Sequence, residues 1–218
     1  MKVKDAKKIT GSMTETKKMP GLSYSLPAWE CKTGKKIRKV KGSVCAGCYA
    51  LKGNYTRYPA IKAAQYYRLA SLMEPDWVPA MVAQVKRQTW FRWHDAGDLQ
   101  SVEHLKNITK VCRRTSKTSH WLPTREAKIL VEYKKRKHRI PRNLLIRMSS
   151  HMIDQEPVKF WPWTSTVVSH KFFWKLELWF NKLFRIKGKC FAPIQGNKCR
   201  SCRQCWDRTV INVSYYKH

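Results

Sequence analysis

The 218-residue chain is long enough to bury a substantial core, and its 43% hydrophobic and 12% aromatic content excludes a disordered protein. It carries 45 Lys and Arg residues against 14 Asp and Glu, a formal charge of +31. This charge favours polyanions, so nucleic acid is the expected partner, although charge alone carries no sequence specificity. The sequence has no apolar run long enough to span a membrane and no signal-peptide pattern at its N-terminus. We therefore expect a cytoplasmic protein without disulfides.

Predicted strands alternate with predicted helices along the chain. Short alternating or apolar runs typical of strands lie at 22–27, 89–94, 120–123, 143–149 and 165–169. Helical periodicity covers 60–73, 77–88, 101–115 and 125–137. Ser101 is placed to cap one of these helices. The apolar segment 172–184 is predicted to be a core helix, with a partner or membrane contact as the alternative.

This alternation predicts a single α/β domain of parallel strands joined by right-handed crossovers, in an open sheet or a partial, TIM-type barrel. We expect a basic N-terminal tail at 1–18, the α/β unit with a cysteine loop at 19–186, and a cysteine-rich segment at 187–218. In either architecture, functional loops lie at the carboxyl ends of the strands. The loops after the predicted strands are rich in cysteine, carboxylate, arginine and serine.

The C-terminal cysteines form the stronger of two cysteine groups. Cys199, Cys202 and Cys205 follow one another at two-residue gaps, and Cys190 precedes them. Three thiolates at this spacing, with a fourth from a distance, are typical of 4Fe-4S cluster ligation. A tetrahedral zinc site is the competing interpretation, and the absence of any metal is the third.

The N-terminal group has three cysteines: Cys31, Cys45 and Cys48. Three thiolates on a cuboidal cluster would leave one iron open to a substrate or cofactor. Alternatively, Cys45 and Cys48 bind one metal together with some of the C-terminal cysteines, and this metal links the two ends of the chain. Cys112, inside a predicted helix, is expected to be a small buried hydrophobic residue.

Several motifs resemble the gene product 88 family of phage proteins. They are "MPGLSYSLPAWECKTG", "GSVCAGCYALKGNY", "HDAGDLQS", "WLPTRE" and "NLLIRMSSHMID", together with the terminal cysteine-rich run. The resemblance extends from about Met19 over most of the chain. It implies a phage protein located in the infected host cell.

The order of these parts also resembles, more distantly, radical S-adenosylmethionine (SAM) enzymes. That resemblance implies a partial barrel whose first strand precedes a three-cysteine 4Fe-4S loop. It implies SAM contacts at Gly97 and Asp98 after the second strand, and at Arg147 and Ser149 near the end of the fourth. The spacing here, C-x13-C-x2-C, departs from the superfamily's C-x3-C-x2-C.

Two classes of function stay open at this point. One is a radical-SAM-like enzyme acting on or near nucleic acid. The other is a non-catalytic iron–sulfur or zinc protein that binds nucleic acid or a host protein. A separate group, His94, Asp95 and Asp98, could bind a divalent metal for phosphodiester cleavage, as in a metal-dependent nuclease. No second acidic cluster accompanies this group. The basic helix 125–137 is either a phosphate-binding surface or an ordinary solvated one.

Overall fold

The protein is built around a sheet whose strands lie side by side in chain order. A computed structural model describes residues 1–169, 174–184 and 186–217. Strand β1 is antiparallel to β2, and each later neighbouring pair is parallel. The seven strands within the described residues are β1 (Thr14–Glu15), β2 (Leu22–Tyr24), β3 (Trp90–Trp93), β4 (Ser119–Thr124), β5 (Leu144–Ile153), β6 (Thr164–Val168) and β7 (Asn212–Tyr216).

The helices fill the connections between these strands. Within the described residues they are α1 (Val3–Thr10), α2 (Lys32–Ile37), α3 (Asn54–Arg57), α4 (Pro59–Ser71), α5 (Trp77–Val85), α6 (Val102–Arg114), α7 (Ala127–Lys135) and α8 (Trp174–Leu183). The predicted cap of α6 is confirmed, because the Ser101 hydroxyl accepts a hydrogen bond from the His104 amide at 3.0 Å. Each of the helices α4 to α7 begins and ends within 3 residues of its predicted bounds.

The predicted α/β class and the mostly parallel sheet are confirmed. The sheet is open: among the strands of the described residues, β1 pairs only with β2 and β7 only with β6, so a TIM-type barrel is not shown. The outer side of β7 makes one isolated bridge, between Ser214 and Lys189. Sequential order still places all parallel carboxyl ends along one edge, where the cysteine loop follows β2.

The two faces of the sheet are covered differently. Phe91 and Trp93 point into the main core, which they share with α5, α6 and α7. Their neighbours Trp90 and Arg92 point to the opposite face, because successive strand residues alternate. There the Trp206 ring lies 5.6 Å from Trp90 and 5.1 Å from Trp121, centroid to centroid. The C-terminal cysteine-rich segment therefore covers the face that the helices leave open.

Other outcomes also differ from the sequence analysis. Residues 1–18, predicted as a tail, contain α1 and β1, and β1 extends the sheet. Strand β7 was not predicted.

Within α8, Leu178 is buried against Phe191 and Tyr216, but the other large apolar residues whose exposure is described lie more than half exposed: Leu176, Trp179, Phe180 and Leu183. The prediction of a core helix is wrong there, because packing reaches one side of the helix only. Residues 172 and 173 of that prediction lie outside the described residues.

No helix in the described residues is both long and apolar enough to cross a bilayer.

Arg147 of β5 attaches the C-terminal segment to the sheet by hydrogen bonds. Its side chain is fully buried, and its guanidinium donates five hydrogen bonds to main-chain carbonyls. The acceptors are Cys205 at 3.1 Å, Thr164 and Ile211 at 3.2 Å, Gln204 at 2.9 Å and Asp207 at 3.0 Å. A guanidinium has five N–H donors, so each is used by the chain itself.

We predict that Arg147→Met lowers the free energy of unfolding by about 3 kcal/mol or more, because it leaves buried carbonyls without donors. Denaturant unfolding measures the change. Arg114→Met, at an exposed position of α6, is the matched control and should change stability by less than about 0.5 kcal/mol. Equal stability of the two variants would contradict this role for Arg147.

Candidate metal centres

The N-terminal cysteines lie in the loop that leaves the carboxyl end of β2. Cys31 follows a 3-10 turn at Ala28–Glu30 and is the N-cap residue of α2, while Cys45 lies in a second turn at Val44–Gly47. Cys48 separates that turn from a third, Tyr49–Leu51. All three side chains are partly buried. Cys31 and Cys48 both pack against a small buried cluster formed by Ala28, Ala50 and Ala96.

Ser43 and the end of β5 fix the second half of this loop. The Ser43 hydroxyl donates to the carbonyl of Ile37 at 2.6 Å and accepts from the amide of Ala46 at 3.0 Å. The amide of Ile153, at the end of β5, donates to the carbonyl of Gly42 at 2.9 Å. The turn that carries Cys45 is therefore attached to the sheet by main-chain bonds.

Gly34 lies between two of the thiols. A Cβ atom at this position would lie 2.8 Å from Cys31 Cβ and 3.8 Å from the Sγ atoms of both Cys31 and Cys45. Contacts below 3.0 Å force a neighbour to move. The missing side chain therefore leaves room in which the two sulfur atoms converge.

Two buried carboxylates join this loop to the next two strand ends. Asp98, after β3, accepts hydrogen bonds from the Thr124 hydroxyl at 2.6 Å and from the Arg125 amide at 2.8 Å, both after or at the end of β4. Glu126 accepts from the amide and the hydroxyl of Thr33, both at 2.8 Å, in the first turn of α2. The strand-end loops thus form one hydrogen-bonded unit around Cys31.

The electrostatic setting disfavours free thiolates at this site. Burial raises the pKa of the Cys31 thiol, and the negative charge of nearby Asp98 raises it further. Burial also raises the pKa of Cys45, although Arg125 and Arg38 act in the opposite direction. Burial raises the pKa of Asp98 to about 6, against the hydrogen bond from Thr124. A bound cation or cluster would compensate this cost, because metal ligation favours the deprotonated thiol.

The four C-terminal cysteines form a second group beside β7. The amide of Cys190 donates to the carbonyl of Ser214, and the amide of Cys199 to that of Lys18, at 2.9 and 2.8 Å. Cys205 Sγ lies 3.1 Å from the Tyr215 hydroxyl. Burial raises the pKa of Cys190 to about 11, and the neighbouring Cys199 and Cys202 thiols add to that rise. Burial likewise raises the pKa of Cys205 to about 12, with added effects of Cys190 and Cys199.

The Cys202 amide donates to the Cys199 carbonyl at 2.9 Å, so these two residues are neighbours in one turn. Shared ligation by all four cysteines stays a prediction. In the part of the chain that the structure describes, no three His, Cys, Asp or Glu side chains form a group that could hold a single metal ion. This finding concerns one ion. The ligands of a cuboidal cluster bind different iron atoms and so need not meet at one point.

The nuclease-type centre is not formed among the described residues. The His94 imidazole is buried and turns toward His104, with ring centroids 5.2 Å apart. Asp95 accepts a hydrogen bond from the Tyr55 hydroxyl at 3.0 Å, whereas Asp98 faces Thr124. Cys112 is fully buried in the main core, as predicted.

The four residues predicted to contact SAM occupy different settings. A Cβ atom on Gly97, where φ is +79°, would lie 2.6 Å from the Leu26 carbonyl oxygen, so the glycine allows two loops to approach. Asp98 and Arg147 bind the chain as described above. The Ser149 hydroxyl lies 2.8 Å from that of Ser165. Each position has a structural use, and contact with SAM stays a prediction.

Gly34 and Glu126 were not among the predicted site residues. In the sequence, Gly34 is visible only as a glycine between Cys31 and Cys45. The spacing of the cysteines does not show which of the residues between them faces the thiols. Glu126 appears in the loop after β4, but its contact with α2 joins residues 93 positions apart in the chain.

Fold and site together define an α/β protein with an open, mostly parallel sheet and two groups of cysteines. The family model for gene product 88 matches residues 1–208, so the chain belongs to the gene product 88 family. The comparison with curated proteins gave no match, and neither did the comparison with solved structures.

We predict that Gly34→Ala lowers the metal bound per chain, because the added Cβ displaces Cys31 from Cys45. Gly47→Ala is a matched control between Cys45 and Cys48, since a Cβ there has no neighbour within 4 Å. Elemental analysis of both purified variants, with circular dichroism as a check of folding, measures the effect. Equal metal content in the two variants would contradict the assignment of this loop as a metal site.

Proposed function

We propose that this protein is an iron–sulfur protein in which each cysteine group binds a 4Fe-4S cluster. The observation that carries the proposal is the convergence of Cys31 and Cys45 on the space left by Gly34, at the carboxyl edge of a parallel sheet. Functional loops gather at this edge in α/β proteins. Soft thiolate ligands without histidine or carboxylate partners favour iron–sulfur clusters or zinc over hard cations.

The number of thiols supports different roles for the two sites. Cys190, Cys199, Cys202 and Cys205 supply four ligands, which is a complete set for a closed cluster. This cluster would support the segment that Arg147 and Trp206 attach to the sheet. Cys31, Cys45 and Cys48 supply three, which would leave one iron available to a ligand from outside the cysteine group.

The matched variants Cys48→Ala and Cys202→Ala test this division. We predict that each variant loses about four of about eight irons per chain, because each removes a ligand of one cluster only. Iron and acid-labile sulfide are measured on anaerobically purified protein. Loss of all iron in either variant would indicate one shared site that staples the chain ends, and zinc in place of iron would overturn the proposal.

The open site supports a second, finer proposal: a radical-SAM-like enzyme. Six parallel strands in chain order, with a three-cysteine loop after the first of them, are compatible with the partial barrel of that superfamily. The cluster would supply the electron for one-electron reduction of bound SAM. In this chain, the three cysteines would hold the cluster, and Asp98 and Glu126 would keep the surrounding loops in position. The alternative is a non-catalytic protein in which both clusters are structural or redox-sensing.

Electron paramagnetic resonance of the reduced protein separates these alternatives. We predict that SAM changes the cluster signal of the wild-type protein and of Cys202→Ala, but not of Cys48→Ala, because SAM would bind at the open iron. A wild-type signal that does not respond to SAM would contradict the enzyme proposal and favour the non-catalytic one.

The net charge of +31 supports nucleic acid as the partner, and a host protein is the alternative. As a member of a phage family, the protein would meet either partner in the infected host cell.

A further inference from the structure

Exposed aromatic and basic side chains lie together on the surface beside the N-terminal cysteine loop. From Trp29 to Lys62 the sequence has nine Lys or Arg residues and one acidic residue, Glu30. Six of the nine lie in or next to α2 and its following loop, and most of them are exposed. Tyr49, directly after Cys48, is 53% exposed, and Tyr58 at the start of α4 is 49% exposed.

One row of side chains along α4 contacts the turn that precedes Cys31. Tyr58, Lys62 and Tyr66 are four residues apart and so lie along one side of the helix. The Lys62 ammonium lies 5.2 Å from the Trp29 ring centroid, and the Tyr66 hydroxyl donates to Glu30 at 3.1 Å. We call Trp29, Tyr58, Lys62 and Tyr66 the tyrosine–lysine row. Because Glu30 directly precedes Cys31 in the chain, the row contacts the turn that leads into the first cysteine of the site.

We propose that the tyrosine–lysine row binds single-stranded nucleic acid and leads it to the N-terminal cysteine site. Proteins that bind single strands combine a positively charged track for the phosphates with aromatic rings on which bases stack. Both features occur here, whereas bases in a duplex are already stacked on one another and do not need such rings. The proposal rests on the proposed function for the site, and it specifies the class of macromolecule.

A second basic surface provides the contrast. It lies at the opposite edge of the sheet, where α6 and α7 end and the chain enters β4 and β5. Its exposed members are Arg113, Arg114, Lys117, Lys134, Lys135, Arg136, Lys137, Arg139 and Arg142. The chain segments that carry them, 113–117 and 134–142, contain no Tyr, Trp or Phe. Such a surface can attract phosphates. Its segments carry one other aromatic ring, that of His138, and the Trp161 ring that the Lys134 ammonium contacts at 4.6 Å is buried, so this surface offers less ring area for stacking.

The test is fluorescence anisotropy of the full-length protein with labelled oligonucleotides of about 12 nucleotides, within the site sizes of single-strand binding proteins. Single-stranded DNA, single-stranded RNA and a duplex of the same length are compared over a salt series. We expect tighter binding of a single strand than of the duplex, and the DNA and RNA arms identify which strand is preferred. Duplex binding at least as tight as that of both single strands would overturn the proposal.

Variants locate the binding on the row. Tyr58→Ala should weaken single-strand binding about fivefold or more, the effect of losing one stacked base, whereas Tyr58→Phe keeps the ring and the affinity. Tyr67→Ala is the control on the same helix, because Tyr67 is similarly exposed but its hydroxyl bonds to the carbonyl of Lys8. Thermal melting checks that each variant is folded. Equal binding of Tyr58→Ala and Tyr67→Ala would overturn the proposal.

Charge is tested in the same way. Lys62→Ala and Lys135→Ala remove the same charge from the two surfaces, and we expect the larger loss of single-strand affinity with Lys62→Ala. The opposite ranking would place the single strand on the distant surface and contradict the proposal. Iron is measured on the same samples, so the two proposals fail separately. If the protein lacks iron but its binding of the single strand depends on Tyr58, only the iron–sulfur function is refuted. If the protein contains iron but its binding does not depend on Tyr58, only the proposal for the tyrosine–lysine row is refuted.

Discussion

Two buried carboxylates hold together the edge of the sheet on which the rest of this structure depends. Asp98 joins the loop after β3 to the end of β4, and Glu126 joins the loop after β4 to the first turn of α2. Each accepts hydrogen bonds from main-chain amides, which fixes the loops themselves and not merely their side chains. A buried carboxylate is costly unless it is hydrogen-bonded, and both are. The position of Cys31 follows from these contacts, because Cys31 is the N-cap residue of the helix that Glu126 contacts.

A different interaction sets the position of the second cysteine group. Parallel strands leave two faces to cover, and the helices of this chain pack mainly on one. Arg147 and Trp206 bring the C-terminal segment onto the other face, through hydrogen bonds to carbonyls and through contacts with Trp90 and Trp121. The two cysteine groups are thus held by the same sheet at different places, which is the basis for proposing two clusters and not one.

Much of this fold could be predicted from the sequence, because local patterns carry the information for it. The helical periodicity of 101–115 and the apolar run at 143–149 correspond to α6 and β5, and parallel order follows from their alternation. Strand β1 was missed because a strand of two residues is too short to show periodicity. The exposure of α8 was missed because an apolar sequence does not show whether the rest of the chain covers the helix. The contacts of Glu126 and Arg147 join distant segments, and neither leaves a local signal.

The central claim of this account is that the cysteine groups hold iron in cuboidal clusters. X-ray absorption at the iron and zinc edges of protein purified without oxygen tests it directly. The account predicts iron with a sulfur shell and a second shell of iron neighbours, because each iron in such a cluster has others beside it. Zinc surrounded by sulfur alone, without neighbouring metal, would contradict it.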